Sequence, residues 1–215
     1  MRELLDVRRV ICVVALLALA RTGAWSEVTL SGMFTANMVL QRGLELPIWG
    51  TAAPGERVTV SACAQEQATT AGDDGHWMVR LDPIEMAGPF AVTVAGENEI
   101  VLDNVLMGDV WICSGQSNMA FTMRGAANAA EEIAAADYPM VRLCQVTRAT
   151  SVEPTDQITA SWQPCSPATV GGFSAIGYFF GRDLHLATGV PIGLISTNWG
   201  GTPVEAWTSA EKLAE

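Results

Sequence analysis

The hydrophobic period changes near residue 106, and that change limits the folds open to the chain. Between residues 27 and about 105 the apolar residues fall in short runs that partly alternate: Val58-Thr59-Val60-Ser61-Ala62, Trp77-Met78-Val79-Arg80-Leu81 and Phe90-Ala91-Val92-Thr93-Val94. Pro54-Gly55-Glu56, Asp73-Asp74-Gly75 and Gly96-Glu97-Asn98 separate them with residues that favour turns. Short strands at this spacing predict a small β-sandwich-like module.

After residue 106 the pattern is different. Asp109-Val110-Trp111-Ile112-Cys113 reads as an apolar strand, which puts Trp111 in the core. Ala126 to Ala136 is alanine-rich and predicts a helix that stops near Pro139. Val141 to Val146 returns to strand. Ser174 is the expected N-cap of a helix from Ala175 to Thr188, with Ile176, Phe180, Leu184 and Ala187 as its apolar stripe. Gly189 and Pro191 stop that helix, and Ile192-Gly193-Leu194-Ile195-Ser196 is the next strand. Strand, helix, strand, helix, strand is the rhythm of a parallel sheet, so residues 106–215 are expected to be α/β.

Residues 1–26 stand apart. Arg2, Arg8 and Arg9 precede an unbroken apolar run from Val10 to Ala20, and Ala24-Trp25-Ser26 supplies small residues before a cleavage point. That is the layout of a secretory signal peptide, with an N-terminal membrane anchor as the alternative. The expected product is secreted or otherwise exported, to the outside of the cell, a lysosome or a periplasm. Removing the segment takes away four Arg and two acidic residues, leaving eight Lys and Arg against 21 Asp and Glu. Such a surface repels nucleic acid and anionic membranes. An anionic ligand therefore needs a local cation, and Arg124, Arg142 and Arg182 are the candidates near the informative motifs. Cys63, Cys113, Cys144 and Cys165 remain, with Cys113 read as a buried thiol and Cys144–Cys165 as the one pairing entertained.

Chemistry concentrates in Gly108-Asp109-Val110-Trp111-Ile112-Cys113-Ser114-Gly115-Gln116-Ser117-Asn118-Met119. Here a strand runs into a small polar turn, and in α/β proteins reactive groups sit beyond the carboxyl ends of strands. Ser117 placed there can attack an acyl carbon if a base takes its proton. Met119 stands where the G-x-S-x-G elbow has its last glycine, and an ordinary strand-to-helix turn is the competing reading.

The same string resembles the nucleophile block of the sialate O-acetylesterase family. Asn37-Met38-Val39-Leu40-Gln41 with Pro47-Ile48-Trp49-Gly50 resembles that family's N-terminal β segment. Pro191-Ile192-Gly193-Leu194-Ile195 followed by Trp199-Gly200-Gly201-Thr202-Pro203-Val204-Glu205-Ala206-Trp207 resembles its next block. The resemblance implies an SGNH-type three-layer hydrolase fold, present in its first part, with Ser117 as nucleophile and its amide in the oxyanion hole. It maps Gly200 and Gly201 onto the block that supplies a second oxyanion donor, where glycines let backbone N–H approach a ligand. Gln116, Asn118 and Arg124 are the substrate-binding candidates.

The family also uses a later Gln-Gly-Glu block and an Asp and His that have no counterpart here. His76 lies in a turn, and His185 is two residues from Asp183 on a helix, where side chains point about 200° apart and do not meet. The triad is therefore incomplete, and Thr208 to Glu215 stop partway into a helix, so a longer natural protein or a truncated product is expected. No metal or cofactor is expected, since no cluster of ligands is spaced to hold one. An O-acetylated sugar is the expected substrate. An acetylxylan-type esterase, a secreted carbohydrate-binding protein using Trp111, Trp199 or Trp207, and a fold remnant are the alternatives.

Overall fold

The computed structural model describes residues 27–151, 153, 155 and 158–215. The expected signal peptide lies outside the described residues. Eight strands come first: β1 (Thr29–Leu30), β2 (Val39–Gln41), β3 (Leu46–Thr51), β4 (Arg57–Ala62), β5 (Gln65–Thr70), β6 (His76–Leu81), β7 (Phe90–Ala95) and β8 (Glu99–Cys113). Then follow helices α1 (Ser117–Ala120) and α2 (Ala129–Ala134), strands β9 (Tyr138–Val146) and β10 (Ala160–Cys165), helix α3 (Ala175–Thr188), strand β11 (Ile192–Ser196) and helix α4 (Ala210–Leu213). The molecule is mixed α/β.

β1, β3 and β6 form a three-stranded antiparallel sheet. The other strands join one sheet in the order β10-β9-β11-β8-β7-β4-β5, with β2 attached to β8. Alternation decides the inner faces: Val58, Val60 and Ala62 of β4 and Trp77, Val79 and Leu81 of β6 are all buried. They share one core with Ile48, Val92 and Val94, drawn from both sheets. Burying each such Val or Leu contributes about 1.5–3 kcal/mol.

Fifteen residues long, β8 serves both regions. Its first part pairs antiparallel with β7 as far as Val105, and Asp109 to Cys113 pair parallel with β11. The residue-106 change of pattern therefore lies within a single strand. β11 also pairs parallel with β9 and is buried at all five positions, as expected of a central parallel strand covered on both faces. Ile192 and Leu194 face the core beneath α3, while Ile195 faces the core shared with the N-terminal strands.

α3 spans the predicted residues, and Ser174 Oγ accepts from the Gly177 amide at 3.1 Å as its cap. Its buried face differs from the expected stripe. Ile176 and Phe180 are exposed, whereas Ala175, Gly177, Tyr178 and Gly181 are buried. A Cβ on Gly177 would meet Cys113 Sγ at 3.0 Å, and one on Gly181 would meet Leu194 Cδ1 at 2.6 Å. The helix packs through its glycines, which a hydrophobic-stripe reading does not count. Trp111 is also corrected: it is 44% exposed, edge-on to Phe180 at a centroid distance of 5.0 Å. Beyond Val110, whose amide donates to Gln41 Oε1 at 2.9 Å, the second edge of β8 meets no strand among the described residues.

Among the described residues the four cysteines, Cys63, Cys113, Cys144 and Cys165, are free. The entertained Cys144–Cys165 pairing fails because Cys144 points into the core shared with the N-terminal strands and Cys165 into the core beneath α3. Their strand partners are Trp162 and Tyr138, so the two side chains lie on opposite faces of the sheet. The alanine-rich helix is also shorter than expected. Met123 to Gly125 form a 3-10 turn and Asn128 takes φ +54°, leaving only Ala129–Ala134 as α-helix.

Candidate active site

Ser117 is the first residue of α1, four positions beyond the end of β8. The chain reverses through Gly115, whose φ of +133° is a conformation that a side-chain-bearing residue rarely adopts. α1 is held against the start of α3: Ala175 N donates to Phe121 O at 2.8 Å, and Ser174 Oγ contacts Met119 Sδ at 3.3 Å. The same α3 cap that the sequence announces therefore braces the turn carrying Ser117.

The segment after β11 closes the other side. Trp199 N donates to Gly115 O at 2.9 Å, tying the Trp199-Gly200-Gly201 turn to the strand-end turn. A Cβ on Gly200 would lie 3.7 Å from both Cα and Oγ of Ser117, so Gly200 borders the serine. Gly201 has φ +82°. Among the described residues, neither glycine amide donates a hydrogen bond. Beneath them Asn198 and Ser196 are buried and joined by a 2.7 Å hydrogen bond from Asn198 Nδ2 to Ser196 Oγ.

Ser117 is exposed, and its Oγ donates to Gln116 Oε1 at 2.8 Å. The same Gln116 oxygen accepts from Ser117 N at 3.1 Å. A side-chain carbonyl oxygen thus engages both the amide and the hydroxyl of Ser117. Cys113, the nearest thiol in sequence, is no rival nucleophile, because burial pushes its pKa up to about 11. Two hollows flank the serine. One of about 430 Å³ is lined by Ser114 to Met119 and Ile176. The other, of about 340 Å³, is lined by Ser114, Gly115, Gln116, Thr202, Val204 and Trp207. Trp207 is fixed there by its Nε1 donating to Thr202 Oγ1 at 2.7 Å.

The site residues expected from sequence thus separate. Ser117, Gln116, Asn118, Gly200 and Gly201 lie around one turn pair. Arg124 is exposed and lies over Gly171 and Gly172, its guanidinium 3.4 Å from the Cβ position of each. Arg142 is no ligand-binding cation: it is 3% exposed and its guanidinium donates to the carbonyls of Pro139, Asn37 and Asn104. Arg182 is likewise committed, to Glu132 at 2.8 Å and Asp183 at 2.9 Å. Arg148 escaped the sequence reading. Its Nε donates to Asn198 O at 3.1 Å, and no string motif marks a contact made fifty residues along the chain.

No base stands beside Ser117 among the described residues. His185 closes α3, with Nδ1 2.7 Å from Val190 O, at the amino end of β11 and so at the opposite end of the strands from Ser117. His76 is in β6 of the three-stranded sheet. A hollow of about 440 Å³ around the Arg42–Asp109 ion pair lies at that same far end.

The model of the carbohydrate esterase family described as sialic acid-specific acetylesterase matches residues 107–214. Sialate O-acetylesterase of Mus musculus is 38% identical over 186 residues, covering 77% of this chain and 34% of that protein. The Homo sapiens sialate O-acetylesterase is 35% identical over 198 residues, covering 82% of this chain and 38% of that protein. The crystal structure of a carbohydrate acetylesterase from Xanthomonas citri superposes with a TM-score of 0.84 at 36% identity, covering 87% of this chain and 44% of that one. The chain therefore spans less than half the length of each of these relatives.

Proposed function

The chain belongs to the sialic acid-specific acetylesterase family of carbohydrate esterases, and from that premise we propose that Ser117 is the nucleophile of an exported enzyme that removes O-acetyl groups from sialic acids. The observation that carries this reading is the approach of Gly200 to Ser117: a Cβ on Gly200 would lie 3.7 Å from Ser117 Oγ, and the Gly200 amide donates no hydrogen bond among the described residues. Ser117 Oγ attacks the acetyl carbon while its proton passes to a base. The carbonyl oxygen displaces Gln116 Oε1 from the Ser117 amide and gains the amide of Gly200 or Gly201 as a second donor. Collapse of the tetrahedral intermediate breaks the ester bond, and the sugar oxygen leaves with a proton. Water then hydrolyses the acetyl-enzyme, releasing acetate. Each oxyanion donor is worth about 10²–10³-fold in rate.

The base for both steps comes from polypeptide outside this chain, because His76 and His185 both stand away from Ser117. Alone, the chain retains at most the portion of catalysis that oxyanion stabilisation supplies, about 10³–10⁴-fold over water in serine hydrolases stripped of their triad. We read residues 27–105 as a β-sandwich-like module and residues 106–215 as the opening of an SGNH-type α/β/α domain. Export rests on the basic and apolar pattern of residues 1–26.

A broader carbohydrate acetylesterase, acting for example on acetylated xylan, is the second reading. It is favoured by the similarity to the Xanthomonas citri carbohydrate acetylesterase. Acetate release from 9-O-acetylated sialic acid and from acetylated xylan separates the two, using the longest natural polypeptide that carries this chain. Release from the sialic acid that disappears in Ser117→Ala supports the first reading. Release that survives Ser117→Ala rules out Ser117 as the nucleophile.

A further inference from the structure

We propose that Arg148 receives the carboxylate of an anionic sugar and so sets the preference of the Ser117 site for acidic over neutral substrates. This rests on the reading of Ser117 as the nucleophile. With a formal net charge of −11, the chain repels an anion at long range and must meet it with a fixed local cation. Four of its cations are already committed. Arg42 pairs with Asp109 at the far end of β8, Arg182 pairs with Glu132 and Asp183, and Lys212 pairs with Glu215. Arg142 is buried beneath backbone carbonyls.

Arg148 differs in three respects. It is exposed and makes no ion pair with a carboxylate among the described residues. It is fastened to the site, because Nε donates to the carbonyl of Asn198 and its guanidinium lies 5.9 Å from the Trp199 ring centroid. Its anchor is itself rigid, since Asn198 is 5% exposed and holds Ser196. Asn198 and Trp199 run straight into Gly200, where a Cβ would lie 3.7 Å from Ser117 Oγ. With Nε occupied and the guanidinium over the Trp199 ring, the two Nη groups make no hydrogen bond among the described residues and remain as a fork suited to a carboxylate.

The test is calorimetric titration of the full chain with N-acetylneuraminic acid and with its methyl ester, which differs by loss of the negative charge. The native chain is expected to bind the acid roughly ten- to hundredfold more tightly than the ester, the range for a charge-assisted contact. Arg148→Gln removes that difference and leaves ester affinity unchanged, while Arg148→Lys restores part of it. Equal native affinity for acid and ester overturns the proposal, as does an Arg148→Gln variant that keeps the preference or weakens both ligands alike. Such a result alongside Ser117-dependent acetate release leaves the esterase reading standing. Absence of binding to either sugar together with absence of acetate release overturns both.

Discussion

Replacing Arg142 with alanine should destabilise the protein far more than a surface arginine would. The side chain is 3% exposed, and its guanidinium makes four hydrogen bonds. Nε donates to Pro139 O at 2.7 Å, Nη1 to Asn37 O and Asn104 O, and Nη2 to Asn104 Oδ1 at 3.1 Å. Asn37 and Asn104 both hold left-handed backbone, at φ +67° and +58°, and Asn104 Nδ2 donates to Asn37 Oδ1. Arg142 therefore fastens β9 to two turns of the N-terminal strands. Among the described residues no carboxylate balances it, and burial pulls its pKa below the usual guanidinium value. Truncation leaves several acceptors without a donor, at about 1–3 kcal/mol for each that water cannot reach. Some relief comes from the burial cost of the charge itself, so a net loss of about 3–5 kcal/mol is expected, as when a buried charged partner is removed. With a urea slope of about 1–3 kcal/mol per molar, the unfolding midpoint should fall by more than about 1 M. Arg142→Lys should recover little, because one ammonium cannot span these acceptors. A midpoint within about 0.3 M of native for Arg142→Ala, at unchanged slope, would refute the reasoning.

Gly181→Val should destabilise by about 1–3 kcal/mol through overpacking, because even its Cβ would lie 2.6 Å from Leu194 Cδ1; thermal melting checks this against Ile176→Val on the exposed face, which should change little. The thiols should divide by burial: Cys63 should react with a thiol reagent in the native protein, and Cys113, Cys144 and Cys165 only on unfolding. Burial pushes the Cys113 pKa from 9.0 to about 11 and that of Cys144 to about 12, so stability is fully present below about pH 9 and declines as pH rises toward 11. Urea titrations at pH 8 and pH 10.5 test the sign, and a midpoint that rises with pH would contradict it.

How much of this was legible in the sequence depends on where the information resides. Ser174 capping α3, the strand at Asp109–Cys113 and the turns at Gly55, Gly75 and Gly96 are local signals, and each is found where predicted. The approach of Gly200 to Ser117 is non-local, yet the sequence strings carrying both residues each announce a functional turn. What failed was inference from side-chain character without knowledge of the neighbours. Ile176 and Phe180 outrank Gly177 and Gly181 in hydrophobicity, but only glycine lets α3 approach Cys113 and Leu194 closely. Trp111 lies on an apolar strand whose second edge meets no strand among the described residues, so strand membership did not bury it. Arg142 and Arg148 are interchangeable by composition. The pleat turns one under the sheet, and the other emerges beyond the end of β9 beside Asn198.

The most direct test of the account is to acid-quench the longest natural polypeptide carrying this chain during turnover of p-nitrophenyl acetate and locate the acetyl group by peptide mass spectrometry. The account predicts acetyl on Ser117, and none on the corresponding peptide of Ser117→Ala. Acetate release with the acetyl group on another residue, or unchanged turnover by Ser117→Ala, would contradict it.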